Sequence, residues 1–193
     1  MSQDGHPDLE LARRAASGDE DAWRQIYSAT HEKLFALLAY HLGNRDEARD
    51  LLQETFVSAV QGIGRYRGDG SLESWLAGIA VRRARDWKRR LLGRFKRTDT
   101  LEGDPPHDES LPQPDPAEGI RLRQALARLP ERQRAAVLLH EWMGYSFREV
   151  GGILGVGEAT ARVHAFRGRE ALRARLEAPS AAPAASQLQE QRL

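Results

Sequence analysis

Between Thr98 and Glu118 the chain reads TDTLEGDPPHDESLPQPDPAE, with seven acids, five prolines and no lysine or arginine. Such a stretch cannot collapse, because its carboxylates repel, its prolines withhold backbone donors and it offers little apolar surface to bury. It is read as an extended linker, and it constrains everything else. Cutting a chain of 193 residues there leaves two pieces, each large enough for one small core. The expected organisation is a first domain over residues 1–97, the acidic, Pro-rich linker over 98–118, a second domain over 119–177, and an Ala/Pro/Ser tail over 178–193 that reads as disordered.

Both pieces read as helical. Apolar residues recur at spacings of three and four in Leu34, Leu37, Leu38 and Leu42, in Leu52, Phe56, Ala59, Val60 and Ile63, and in Leu72, Leu76, Ala80, Ala84, Trp87 and Leu91. Strand-like alternation is absent from the sequence. Asn44 is placed to cap a helix starting near Arg45, and Ser71, after the glycines of RYRGDGS, to cap the next. The expected fold class is all-α: a bundle of about four helices, the linker, and a second small helical domain.

Several chemistries are excluded by composition. The chain has no cysteine, so neither disulfides nor thiolate metal sites are available. No apolar run approaches bilayer length and the acidic N-terminus does not resemble a secretory signal, so no membrane insertion is expected and the expected location is cytoplasmic. None of the six histidines forms a ligand-spaced pair, and His140 in HEWMG lacks the second histidine of a zinc helix. GIGRYRG is glycine-rich but follows a helix and has no Gly-Lys-Ser/Thr phosphate grip. No catalytic residue, metal or cofactor is therefore expected, and the chain is not read as an enzyme.

Charge patterning says more about partners than the formal net charge of +1. On the helix after Asn44, Asp46, Asp50 and Glu54 form an acidic line flanked by Glu47 and Gln53, which is either an ordinary solvated face or a docking surface for a basic partner. From Arg65 to Arg97 the sign reverses, with eleven basic residues against three acids. Arg82, Arg85 and Arg89 share one side of a helix, Arg83 and Arg90 lie on its shoulders, Lys88 is nearby, and Asp86 is placed to pair with Arg82 or Arg90. Just before it, Arg65, Tyr66 and Arg67 interleave cations with an aromatic ring, the chemistry that suits a phosphate backbone and an unstacked base. Trp75 is read as packing.

The second domain carries a recognisable unit. Pro130 and Glu131 open a helix whose inner side is Val137, Leu138 and Trp142. In SFREVGGILG, Ser146 is the expected N-cap, Glu149 its capping-box partner and Gly155 the stop. The turn GVG leads into a helix whose inner spacing is Ala161, Ala165, Gly168 and Leu172. Glu158, Thr160, Arg162, Val163, His164, Arg167 and Arg169 then look outward. This is helix-turn-helix spacing, with the second helix suited to a major groove.

These blocks resemble a known family. RDEARDLLQETFVSAVQGIGRYRGDGSLESWLAGIAVRRARDWKRR is similar to region 2 of the extracytoplasmic-function (ECF) sigma factors, on the DLxQExF core at Asp50 to Phe56 and the run from Tyr66 to Leu76. ALARLPERQRAAVLLHEWMGYSFREVGGILGVGEATARVHAFRGREALRARL is similar to their region 4, on LPxRQR at Leu129 to Arg134 and the run from Ser146 to Val156. The resemblance implies an RNA polymerase specificity subunit. Asp46, Glu47, Asp50, Leu51, Gln53, Glu54 and Phe56 would dock on the clamp helices of the polymerase's largest subunit, and region 4 on its flap. Arg65, Tyr66, Arg67, Gly68 and Ser71 would capture a base flipped from the −10 promoter element, with Arg82, Arg83, Arg85, Lys88 and Arg89 following the melted strand. The helix from Glu158 to Arg169 would read the −35 element. An anti-sigma factor is the further partner implied, and the linker would run through the polymerase's RNA path.

Some positions depart from the family pattern. Ala161 and Ala165 stand where bulky aliphatics are usual, and Gly151 and Gly152 each cost up to about 1 kcal/mol of helix propensity. Val163 and His164 replace a small polar residue and an arginine, so the −35 sequence read would be unusual. A protonated His164 could contact DNA, although a neutral role is expected. Three other classes compete with this reading: a LuxR-type regulator, which leaves the region 2 block unexplained; an enzyme; and a sequestering protein of the anti-sigma kind.

Overall fold

The computed structural model describes residues 7–95 and 116–177. The expected tail, and residues 98–115 of the expected linker, lie outside the described residues. The first half consists of α1 (Pro7–Ala16), α2 (Glu20–Leu42), α3 (Arg45–Gly62), a single 3-10 turn at Ile63–Arg65, and α4 (Leu72–Phe95). The second half consists of α5 (Pro116–Ala127), α6 (Glu131–Val137) running on through a π-helical turn at Leu138–Trp142, α7 (Phe147–Leu154) and α8 (Glu158–Glu177). Among the described residues there is no strand, and no helix is long and apolar enough to cross a membrane.

The caps fall where the short polar side chains predict. Asn44 Oδ1 accepts from the backbone N–H of Asp46 at 3.0 Å and of Glu47 at 3.2 Å. Ser71 Oγ accepts from Ser74 N–H at 3.0 Å, and Asp8 of α1 accepts from Leu72 N–H at 2.7 Å, so α4 takes a second cap from a distant helix. The Ser146–Glu149 capping box is complete, and Gly155 closes α7 with φ 68°. The boundary of the second domain is the first correction. Helix α5 begins at Pro116, inside the expected linker, because proline at the first helical position gives up no hydrogen bond and has φ preset for the helix.

In the first half, Ile26, Leu34, Leu37, Leu38, Leu51 and Leu76 are each at most 1% exposed. Thr55 shares this interior by donating its hydroxyl to Leu51 O at 2.6 Å. The inner stripe of α3 is Ala48, Leu51, Leu52, Thr55 and Ala59. Val60, expected on that stripe, lies about 100° beyond Ala59 and is 56% exposed. Trp142, also expected inside, is 47% exposed because the π-helical turn carries it off the inner side of α6.

The halves do not stand apart on a tether. Helix α7 packs on α4, and α5 and α6 pack on α2, so one apolar core runs through both. Glu73 on α4 links three elements, accepting from Tyr145 Oη at 3.0 Å through one carboxylate oxygen and holding Lys33 Nζ of α2 at 2.9 Å through the other. Tyr40 meets Trp142 edge-on at 6.0 Å. The same junction buries positive charge: Arg134 is 6% exposed and His41 3% exposed, with Arg85 and Lys88 close by and Glu131 facing them. Burial first, then the cations Arg134, Lys88 and Arg85, push the His41 pKa down to about 3.

Candidate nucleic-acid interfaces

Helix α3 presents the expected acidic face. Asp46, Asp50, Gln53 and Glu54 are exposed and Glu47 is half-buried. Two basic neighbours temper the charge, Arg49 at 2.9 Å from Asp46 and Arg90 at 4.0 Å from Glu54. Leu51 is a correction: it is 1% exposed, belongs to the core and cannot meet a partner surface. Phe56 is half-buried, its ring 4.8 Å from that of Tyr27. The apolar part of the face is instead Val57, Val60 and Tyr27, which are 58%, 56% and 48% exposed. Their signal in the sequence was the Ala48–Thr55–Ala59 spacing, which marks the inner side of α3 and turns both valines outward.

The loop ahead of α4 is braced from inside. Tyr66, expected as a presented ring, is 8% exposed; it donates to Gly70 O at 2.5 Å and lies 5.9 Å from the Trp75 ring. Burial pushes its phenol up to about 12, so it stays a donor at every physiological pH. Gly68, at φ 78°, makes the turn that leaves Arg65 and Arg67 in solvent, and Ser71 is half-buried. A trough of about 400 Å³ runs on between α3 and α4, lined by Arg65, Trp75, Ile79, Arg82 and Arg83. Arg83 is held there by Ser58, whose hydroxyl accepts at 2.6 and 3.0 Å.

The expected cationic stripe is split. Arg82 and Arg83 face the trough, whereas Arg85, 3.9 Å from Glu131, and Lys88, depressed by burial and then by Arg134, face the second half and are covered by it. Asp86 pairs with Arg89 in place of the expected Arg82 or Arg90.

Helices α7 and α8 form the expected helix-turn-helix. Gly151 allows it: a Cβ there would sit 2.8 Å from Val156 O in the turn. Ala161 and Ala165 are small because α8 lies close against α6 and α7, with both residues at most 1% exposed. Glu158, Thr160, Arg162, Val163, Arg167 and Arg169 face solvent. Arg162 is already engaged, 3.2 Å from Glu158 and 4.9 Å over the Phe147 ring, and Arg169 lies 3.2 Å from Glu141. His164 is half-buried with Nε2 sealed and unpartnered; desolvation, then Arg132 and Arg167, lower its pKa, which opposes a protonated DNA contact. Sequence reasoning missed Phe166, which is 56% exposed beside Arg169 on the same helix. Among the described residues no group of three or more His, Asp or Glu could hold a metal.

Fold and surfaces define an all-helical protein with a helix-turn-helix in one half and an arginine-lined trough in the other. The family models for Sigma-70 region 2 and Sigma-70 region 4 match residues 26–94 and 120–172. The chain is 35% identical over 165 residues to the ECF RNA polymerase sigma factor SigM of Mycobacterium tuberculosis, covering 86% of this chain and 82% of that one. It is 33% identical to the RNA polymerase sigma factor CarQ of Myxococcus xanthus, covering 83% and 92%. Among solved structures, CnrH in complex with the cytosolic domain of CnrY aligns with TM-score 0.67 and 26% identity over 90% of this chain and 99% of that one. RpoE in complex with the anti-sigma factor NepR from Bartonella quintana shares the fold, with TM-score 0.70 and 22% identity over 81% and 97%. The chain belongs to the ECF subfamily of sigma-70-type RNA polymerase sigma factors. The LuxR-type reading leaves the region 2 match over 26–94 unexplained and is set aside.

Proposed function

We propose that the chain acts as the promoter-specificity subunit of RNA polymerase through three surfaces and without catalytic chemistry or a cofactor of its own. The face of Asp46, Glu47, Asp50, Gln53, Glu54 and Phe56, extended by Val57 and Val60, docks on the clamp helices of the polymerase's largest subunit, and the second half on its flap. Arg65, Arg67, Gly68 and Ser71, backed by Tyr66 and continued by Arg82 and Arg83, hold the extruded −10 base and its strand, where cations offset the few kcal/mol of unstacking. Helix α8 reads the −35 element. The observation that carries this reading is the joining, in one half, of an acidic face with two exposed valines on α3 to an arginine-lined trough on α4. Such a protein works where the polymerase is, in the cytoplasm, and an anti-sigma factor is its proposed restraining partner.

The cover that Glu131 and Arg134 of α6 lay over α4 adds a condition. Arg85 and Lys88 reach the strand only when the halves part, so promoter engagement requires this cover to open. The test is transcription by purified core polymerase on fragmented genomic DNA, with start sites mapped. Defined starts that need this chain support the reading, and sequence-selective DNA binding without polymerase would refute it.

Two substitutions separate the surfaces. Asp50→Lys with Glu54→Lys should weaken core polymerase binding about 100-fold by replacing attraction with repulsion across the interface. An unchanged dissociation constant would make the acidic line an ordinary solvated face. Arg167→Ala should lower transcription from a −35-dependent promoter about tenfold with core binding intact. Arg162→Ala should do less, because its guanidinium is already committed to Glu158 and Phe147.

A further inference from the structure

A second cavity, of about 860 Å³, opens where the halves meet, and it draws its walls from both. One wall is the loop and first turns of α4, with Arg65, Arg67, Trp75 and Arg82; the other is α7, with Arg148 and Glu149. Its volume lies within the range of about 300–1,000 Å³ usual for small-molecule sites. None of the guanidiniums of Arg65, Arg67, Arg82 and Arg148 has a carboxylate within salt-bridge distance among the described residues, and Asp86, beside Arg82 but paired with Arg89, offsets that arginine only in part. Of the two acids in the lining, Glu149 is engaged by Ser146, whose N–H and Oγ reach it at 2.9 and 2.8 Å. Four like charges facing one cleft repel unless an anion enters, and Trp75 offers an aromatic ring on the same surface.

We propose that this cleft binds a free nucleoside polyphosphate, its base against Trp75 and its phosphates on Arg65, Arg82 and Arg148, and that the bound nucleotide holds the two halves together. A polyphosphate matches the excess of four guanidiniums over the two carboxylates of the lining, Asp69 and Glu149, and the ring accounts for a base. The contribution of Arg148 distinguishes this site from the strand-binding surface, which lies in the first half alone. The inference shares its loop with the proposed −10 site, so a nucleotide in the cleft and a promoter base compete for Trp75 and Arg65.

The test uses the full chain, calorimetry, and energy transfer between dyes on Ala29→Cys and Glu170→Cys, both exposed positions in a chain that has no cysteine of its own. ATP or GTP should bind and raise transfer, tripolyphosphate should bind about tenfold more weakly, and Arg148→Ala should lower nucleotide affinity about tenfold and abolish the rise. Arg148→Lys should restore part of the affinity but not all, since a point charge replaces a bidentate fork. Arg148→Ala should still bind a single-stranded −10 oligonucleotide. Absence of nucleotide binding, equal binding of tripolyphosphate, or undiminished binding by Arg148→Ala would each overturn the proposal. Failure of nucleotide binding leaves polymerase-dependent transcription standing, and failure of transcription leaves nucleotide binding to be measured, so the two readings fail separately.

Discussion

Alanine at Gly168 should destabilise the protein by about 2 kcal/mol, while alanine at Gly152 should stabilise it by up to about 1 kcal/mol. Both glycines are helical, and by propensity alone both changes are gains. The difference is what a methyl group meets. At Gly168 a Cβ would lie 2.7 Å from Val137 Cγ2 and 2.9 Å from Gln133 O, so α8 would have to lift from α6 against a backbone carbonyl. At Gly152 it would meet nothing within 4 Å. Urea unfolding of the two variants measures the contrast, and a midpoint raised in Gly168→Ala as well as in Gly152→Ala would show that the α6–α8 crossing relaxes freely. Because α8 carries Arg162 and Arg167, Gly168→Ala should also weaken −35 use.

Acid should act on His41 with a comparable or larger effect. Its pKa falls from 6.5 to about 3 on folding, so the folded state holds the neutral ring and the unfolded state takes up the proton first. Stability from this group is therefore fully present above pH 6.5 and declines as pH falls, levelling off below about 3, with a total loss on the order of 5 kcal/mol. The groups facing the ring are Arg134 from α6 and Arg85 and Lys88 from α4, with Glu131 as the nearby carboxylate. A charged His41 would thus add to a positive cluster that spans both halves. His41→Leu should remove this component, so the parent chain should lose more unfolding free energy than the variant as pH falls from 7 to 4. A difference constant with pH would mean that His41 keeps its proton when folded.

Much of the fold was legible because its signals are local. The Asn44 cap, the Ser146–Glu149 box and the stop at Gly155 each depend on residues within a few positions of one another. Long-range packing was not legible in the same way. Gly151 and Gly152 look alike as propensity costs, yet only Gly151 faces the carbonyl of Val156, a contact created by the turn beyond it. Leu51 sits in the middle of an acidic motif and reads as part of its surface, but α3 spends that position on the core and turns Val57 and Val60 outward instead. Lys88 and Arg85 read as strand contacts because nothing in the stripe announces that α6 lies over them. The buried His41 gives no local signal, since its environment is assembled from α2, α4 and α6.

The π-helical turn at Leu138–Trp142 sets the phase of the two helices after it. Each residue added to or taken from a helix advances its exit by about 100°. The wide turn, closed by bonds from Met143 N–H to Leu138 O at 3.1 Å and Tyr145 N–H to Leu139 O at 3.0 Å, therefore acts like a one-residue offset between α6 and the helix-turn-helix. The heading of α8 is thus encoded some sixteen residues before that helix begins, in a count of positions: deleting one residue from Leu138–Trp142 would leave every outward side chain of α8 in place and aim all of them elsewhere.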